Sequence, residues 1–246
     1  MASTESEPSS SYLSSYEQEP HYLAFRDRDF DIEPPEARGL LRLRGAKPIY
    51  CTYLACVENY FLASELIEHY WNESSKGPSW QHGTTPGLPT IEECVASAVR
   101  TIAPYQAIRW ALAGLKPGDR WPEIPSTWTK GSGNLPESCD YNSCLREARK
   151  LVESFQGDAR KVSGSLLEGS ASAFVQRFDS REFSAKQGYA VWFHGKDLKK
   201  AIQMTLPRPI SMDHFCNWAV ERFDWRRHED LVELARELTE PAADRS

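Results

Sequence analysis

The sequence predicts a mainly α-helical protein: a single helical globular domain with a few short strands and a disordered acidic N-terminal tail. Apolar residues recur at helical spacing over most of the chain after residue 36, and capping residues and prolines divide it into segments of helical length. The first 36 residues hold nine acidic and two basic side chains. With 246 residues, the chain is long enough to bury a core without disulfides.

The charge distribution divides the chain into a tail and a body. Residues 1–36 carry a net charge of −7, and the remaining residues carry +1. The first 20 residues are rich in Ser, Glu and Pro, and such a segment buries too little apolar surface to offset the entropy lost on ordering. The predicted organisation is a disordered tail over 1–36, a mostly helical domain over 37–240 and a disordered C-terminus over 241–246.

The second part of the tail mixes aromatic and acidic residues, a composition typical of segments that fold onto a partner. Its predicted interaction residues are Tyr22, Phe25 and Phe30. The alternative is an arm that packs on its own domain. Composition supports both interpretations equally.

The first half of the body contains the strongest helical pattern. A short strand is predicted over residues 39–45, where Leu and Arg alternate. The segment 49–72 is apolar on most helical faces and predicts a central buried helix. Thr90 and Glu93 form a capping-box pattern for the next helix, which Pro104 is expected to break or kink.

The second half alternates short helices with proline-rich connections. A long connection is predicted over residues 116–137. The segments after it are predicted as helices over 140–155 (ended by Gly157), 163–178 and 197–206, a strand over 189–194, a helix capped by Ser211 and a last helix around Leu231–Leu238.

The motif search indicates no catalytic or metal centre. The sequence has no G-x-G-x-x-G, Walker or G-x-S-x-G pattern. The paired cysteines Cys51/Cys56 and Cys139/Cys144 do not have the spacing of a zinc site. We therefore predict no cofactor and no metal, and favour a protein that is not an enzyme. The alternative is a catalytic site assembled from distant His, Cys and Glu residues, with His69, His194, His214 and the cysteine thiols as candidates.

The best candidate for a binding surface is the segment 181–227, which has nine basic and five acidic residues interleaved with aromatic ones. Arg, Trp and Tyr are enriched at protein interfaces, and bases with stacking platforms also suit single-stranded nucleic acid. The more common fate of such aromatics is burial in a core. The predicted partner-binding residues are Trp192, Lys196, Lys199, Lys200, Trp218, Arg222, Trp225, Arg226 and Arg227.

The sequence as a whole favours a protein-interaction or regulatory helical module without catalytic activity. A protein partner or self-association is expected, and nucleic acid bound through 181–227 is the alternative. Because the first 20 residues have neither a basic nor an apolar signal region, an intracellular location, cytoplasmic or nuclear, is expected rather than secretion. No membrane contact is expected.

Overall fold

The computed structural model describes residues 23–30, 32–43, 49–115, 140–160 and 162–239. They form mainly α-helices with one small sheet, so the predicted fold class is confirmed. The described chain divides into two compact units. Residues up to Pro104 and from Ser180 onward form unit 1, and Tyr105–Asp179 form unit 2. Residues 1–22 of the predicted tail and the predicted C-terminal segment 241–246 lie outside the described residues.

Unit 1 contains a three-stranded sheet in the order β1 (Ala24–Arg26), β3 (Ile49–Cys51), β2 (Leu41–Leu43). Strand β1 runs parallel to β3, whereas β2 is antiparallel to it. All three residues of β3 are buried. A central strand has both of its edges paired, so β3 satisfies its backbone groups even though it is short.

The helix predicted over 49–72 is wrong in its first half. Strand β3 is followed by a 3₁₀ helix, Val57–Tyr60, and helix α1 spans Ser64–Ser74. An apolar segment without a polar face fits a buried strand as well as a buried helix, and Ile and Tyr favour strands. Residues 49–51 form a strand because they pair with β1 and β2, which lie outside the segment.

The chain after β1 packs on unit 1. Arg28 is fully buried, and its guanidinium donates hydrogen bonds to the backbone oxygens of Tyr53, Ile32 and Val191. Burial lowers the pKa of Arg28 to about 10, so the side chain remains charged at neutral pH. Residues 23–30 thus correspond to the arm that packs on its own domain, and the folded part begins before the boundary predicted at residue 36.

Helices from both ends of the chain form the core of unit 1. Helix α1 and the first part of α2 (Leu88–Leu115) pack with α7 (Gly195–Thr205) and α8 (Met212–Arg222). Burial of large apolar side chains is the main favourable contribution to folding. The large side chains with no exposed surface in this cluster are Ile67, Trp71, Ile91, Ile202, Ile210 and Phe215.

Helix α2 runs through Pro104 without interruption, although a break or kink was expected there. Proline lacks the N–H that would bond the carbonyl of Arg100, so one helical hydrogen bond is lost at this point. Pro104 is also the last residue of unit 1 before Tyr105, where unit 2 begins.

Unit 2 contains the end of α2 together with α3 (Tyr141–Arg160) and α4 (Gly164–Phe178). Helix α3 extends past Gly157, where its end was predicted. Helix α4 matches the helix predicted over 163–178, and Ser163 caps it: the Ser163 hydroxyl accepts a hydrogen bond from the backbone N–H of Leu166 at 3.3 Å.

The remaining helices of unit 1 are the short α5 (Arg181–Ala185) and α6 (Tyr189–Trp192), a 3₁₀ helix (Trp225–Arg227) and the last helix α9 (Glu229–Thr239). The strand predicted over 189–194 is therefore wrong, because a short apolar segment also fits a single helical turn. Ser211 caps α8 as predicted. Among the described helices, none combines the length and apolar character that a membrane span requires.

Candidate functional site

The predicted partner-binding residues lie on four elements of unit 1, and their side chains differ in exposure. Trp192 of α6, Lys199 of α7 and Trp218 of α8 are partly buried, and the others are exposed. The most exposed tryptophan of the described chain is Trp225, in a 3₁₀ helix between α8 and α9.

The lysines of α7 differ in their surroundings. Nζ of Lys199 lies 2.8 Å from the Asp213 carboxylate, which raises the pKa of Lys199. Lys196 and Lys200 are exposed on the same helix. Because Lys199 is partly buried and paired with Asp213, its positive charge attracts an approaching molecule less than the charges of Lys196 and Lys200 do.

Trp218 and Arg222 are held by the body of unit 1. The Trp218 ring lies 5.4 Å from that of Tyr70, and the Arg222 guanidinium lies 4.5 Å above the Trp218 ring. Arg222 also contacts the Glu73 carboxylate at 2.6 Å. Trp218 and Arg222 therefore connect α8 to α1, and the Arg222 side chain remains 37% exposed.

Trp225, Arg226 and Arg227, called here the Trp225–Arg227 turn, point away from the core. Trp225 is 38% exposed, and the side chains of Arg226 and Arg227 are 75% and 82% exposed. The Arg226 guanidinium lies 5.1 Å from the centre of the Trp225 ring. Asp224 accepts a hydrogen bond from the backbone N–H of Arg226 and lies within ion-pair distance of both arginines.

The residues on either side of the turn anchor it to unit 1. Phe223 and His228 contact each other at 5.1 Å, and both rings pack on Tyr60. Burial lowers the pKa of His228. Below them, the buried Asp230 carboxylate accepts hydrogen bonds from the Tyr60 hydroxyl and from the Tyr53 backbone N–H. The turn thus has a fixed base and outward side chains.

The predicted interaction residues of the tail lie in different places. Phe25 is 39% exposed on β1, whereas Phe30 stacks on His194 with ring centres 6.0 Å apart. Nε2 of His194 lies 3.1 Å from the Asp29 carboxylate and lowers the pKa of Asp29. Tyr22 lies outside the described residues.

One group of side chains was missed by the sequence analysis. The ligand atoms of Asp27, Cys56 and Glu58 all lie within 4.8 Å of one another. Cys56 and Glu58 are two residues apart, but Asp27 comes from the segment predicted as a tail. Since pairing of β1 with β3 brings them together, spacing within the sequence gives no signal for the group.

The candidate histidines do not form a comparable group. Within the described residues, the group just named is the one set of three or more His, Cys, Asp or Glu ligand atoms at such distances. His69 contacts Trp218 and Glu73, and His214 lies in the first turn of α8. The alternative of a catalytic site built from His69, His194 and His214 gains no support from this arrangement.

No protein-family model matches the chain, and neither a curated protein nor a solved structure is similar enough to match it. The fold and the exposed turn define a mainly helical protein with a small mixed sheet and an anchored Trp-Arg-Arg surface. A fold of this class does not by itself define a function, which depends on the chemistry of particular surfaces.

Proposed function

We propose that the protein is a non-catalytic interaction module that binds a protein partner through the Trp225–Arg227 turn. The observation that carries this proposal is the exposure of Trp225 beside two exposed arginines, Arg226 and Arg227, on an anchored turn. Trp and Arg are the residue types most enriched among those that dominate binding energy at protein interfaces.

The anchoring of the turn supports binding because an ordered surface loses little conformational entropy on association. Phe223, His228 and Tyr60 pack below the turn, and Asp224 bonds its backbone. The partner surface that fits is an apolar pocket for the Trp225 indole with carboxylates at its rim for Arg226 and Arg227.

The ion pairs of the 181–227 segment favour a protein partner over nucleic acid. Asp213 pairs with Lys199 and Glu73 pairs with Arg222, so part of the positive charge of this segment is locally offset. Nucleic-acid binding depends on phosphate contacts by several free basic side chains. A surface with one exposed tryptophan and few unpaired bases is better suited to a protein pocket.

The test uses the full chain and its Trp225→Ala variant as baits and measures how much of each bound protein they recover from the source cells. Titration calorimetry with the purified partner then gives the two affinities. We expect Trp225→Ala to weaken binding by about 2 kcal/mol, roughly 30-fold. Arg226→Ser with Arg227→Ser is expected to weaken it further.

The matched control is Met204→Ala, which removes an exposed apolar side chain from α7. It should recover the same partner with unchanged affinity. A partner retained equally by the Trp225→Ala variant would contradict the proposal. Binding of a single-stranded oligonucleotide that weakens steeply with salt would instead support the nucleic-acid alternative.

A further inference from the structure

The group of Asp27, Cys56 and Glu58 lies where the segment after β1 meets the start of the 3₁₀ helix Val57–Tyr60. Oδ1 of Asp27 accepts a hydrogen bond from the backbone N–H of Val57 at 2.9 Å, which places this carboxylate at the helix N-terminus. Cys56 is the residue preceding the helix, and its thiol is fully buried.

The three groups are mutually unfavourable as neighbours when they are charged. The ligand atoms of Asp27, Cys56 and Glu58 all lie within 4.8 Å of one another, and two of these side chains are carboxylates. A cation placed among the three would remove this repulsion.

An independent observation also points to a ligand. Oε2 of Glu58 is buried and has no hydrogen-bond partner among the described residues. A buried carboxylate oxygen without a donor is unfavourable, since it has lost its water and gained nothing in return. A metal ion within reach of this oxygen would satisfy it.

The surrounding backbone holds the ligand atoms in the manner of a metal site's outer shell. The N–H of Gly195 donates to Sγ of Cys56 at 3.1 Å. Asn59 accepts from the Cys56 backbone N–H at 3.1 Å and donates to the carbonyl of Phe193 at 2.9 Å. The Gly195 N–H donor stabilises a thiolate, whereas the bonds of the Asn59 side chain fix the position of the Cys56 backbone.

We propose that Asp27, Cys56 and Glu58 bind a zinc ion, with a fourth position open to water. Zinc accepts sulfur and oxygen ligands together, whereas Mg²⁺ and Ca²⁺ prefer oxygen alone and Cu⁺ prefers sulfur. Zn–S and Zn–O bonds of about 2.3 and 2.1 Å place neighbouring ligand atoms roughly 3.5 Å apart in a tetrahedron. Small side-chain rotations bring atoms that now lie within 4.8 Å to that spacing.

Binding replaces the Cys56 thiol proton, which is donated to Oδ1 of Asn59 in the metal-free site and passes to solvent. The ion then connects the segment after β1 to the 3₁₀ helix. This proposal is independent of the partner surface at the Trp225–Arg227 turn.

The experiment uses the full chain, stripped of metal with chelator, and zinc alone as the probe. Native mass spectrometry and titration calorimetry measure stoichiometry and affinity. Co²⁺ in place of zinc reports thiolate ligation through a sulfur-to-metal charge-transfer band. We expect one zinc ion per chain, and Glu58→Gln and Asp27→Asn each to weaken binding about tenfold or more.

Cys56→Ser should abolish the charge-transfer band, and Cys216→Ser is the matched control that keeps it. Glu58→Gln is nearly isosteric, so this variant is expected to fold, which circular dichroism can verify. It therefore tests the proposal even if Cys56→Ser does not fold. Absence of stoichiometric zinc, or equal affinity in the Glu58→Gln and Asp27→Asn variants, would overturn the proposal.

Discussion

Arg28 shows how a charged side chain becomes part of the core of unit 1. Its guanidinium is fully buried and bonds three backbone carbonyls. An arginine has five donors in a fixed planar arrangement, so it can satisfy several carbonyls that no apolar side chain could. The segment after β1 is therefore held by hydrogen bonds as well as by strand pairing.

Replacing Arg28 with Met should lower the free energy of unfolding by about 3 kcal/mol, because buried carbonyls lose their donors. Urea denaturation measures the change. Arg42→Met is the matched control, since Arg42 is exposed on β2, and we expect it to change stability by no more than about 0.5 kcal/mol. Equal effects of the two substitutions would contradict the structural role of Arg28.

His228 should make stability depend on pH. Burial lowers its pKa below the ordinary value of 6.5, so the unfolded state takes up a proton that the folded state does not. The free energy of unfolding then falls as the pH drops through this range. His228→Phe keeps a ring against Tyr60 and Phe223 but removes the titration.

We therefore expect the melting temperature of His228→Phe to fall less than that of the natural sequence between about pH 7.5 and about pH 5. Thermal melts of both proteins across this series measure the difference, and parallel curves would show that His228 does not contribute.

Two tryptophans show which properties of a binding residue can be predicted from the sequence. Trp218 and Trp225 were predicted as partner-binding residues from the same composition of bases and aromatics. The structure places Trp218 against Tyr70 and leaves Trp225 exposed. Composition identifies the kind of residue that binds, but burial depends on tertiary packing, which the local sequence does not encode.

At the scale of elements, α7 and the 3₁₀ helix Val57–Tyr60 approach each other unusually closely. A Cβ atom added at Gly195 would lie 2.5 Å from Oδ1 of Asn59 and 2.8 Å from Sγ of Cys56. Both distances are shorter than van der Waals contact, so a side chain at position 195 would push the two elements apart.

Gly195→Ala should consequently destabilise the protein by about 1–3 kcal/mol. Gly169→Ala in α4 is the control, because an added Cβ there meets nothing within 4 Å. It should leave stability unchanged or raise it by about 0.5–1 kcal/mol, as alanine is the better helix former. Urea denaturation distinguishes the two, and stabilisation by Gly195→Ala would refute the close approach.

Elements were predictable where the signal is local. Ser163 and Ser211 mark the starts of α4 and α8 correctly, because a capping hydroxyl bonds a backbone N–H three residues ahead. The segment 49–72 was misassigned because β3 exists through its pairing with β1 and β2. Nothing within the segment specifies those partners.

At the scale of the whole molecule, each compact unit has buried residues of its own. Ile202 is fully buried in unit 1, and Trp110 and Phe178 are buried in unit 2. Local stability in proteins follows such cooperative units. A substitution in the core of one unit should therefore act mainly on that unit.

Ile202→Ala should lower the stability of unit 1 by about 2–5 kcal/mol. We expect hydrogen exchange to speed up in α1, α7 and α8, while amide protection in α4 of unit 2 stays unchanged. Equal loss of protection in α4 would show that both units unfold together.

The order in which the chain is synthesised gives unit 1 an additional constraint. Its α7, α8 and α9 follow the whole of unit 2 in the sequence, yet residues such as Phe215 and Asp230 complete the packing around β3 and α1. At about 5–20 residues per second, a ribosome takes roughly 7 to 27 s to proceed from Pro104 to Thr239. During this period the nascent β3 and α1 have exposed apolar surface that a chaperone could bind. Unit 2, which ends at Asp179, is synthesised completely before unit 1 is.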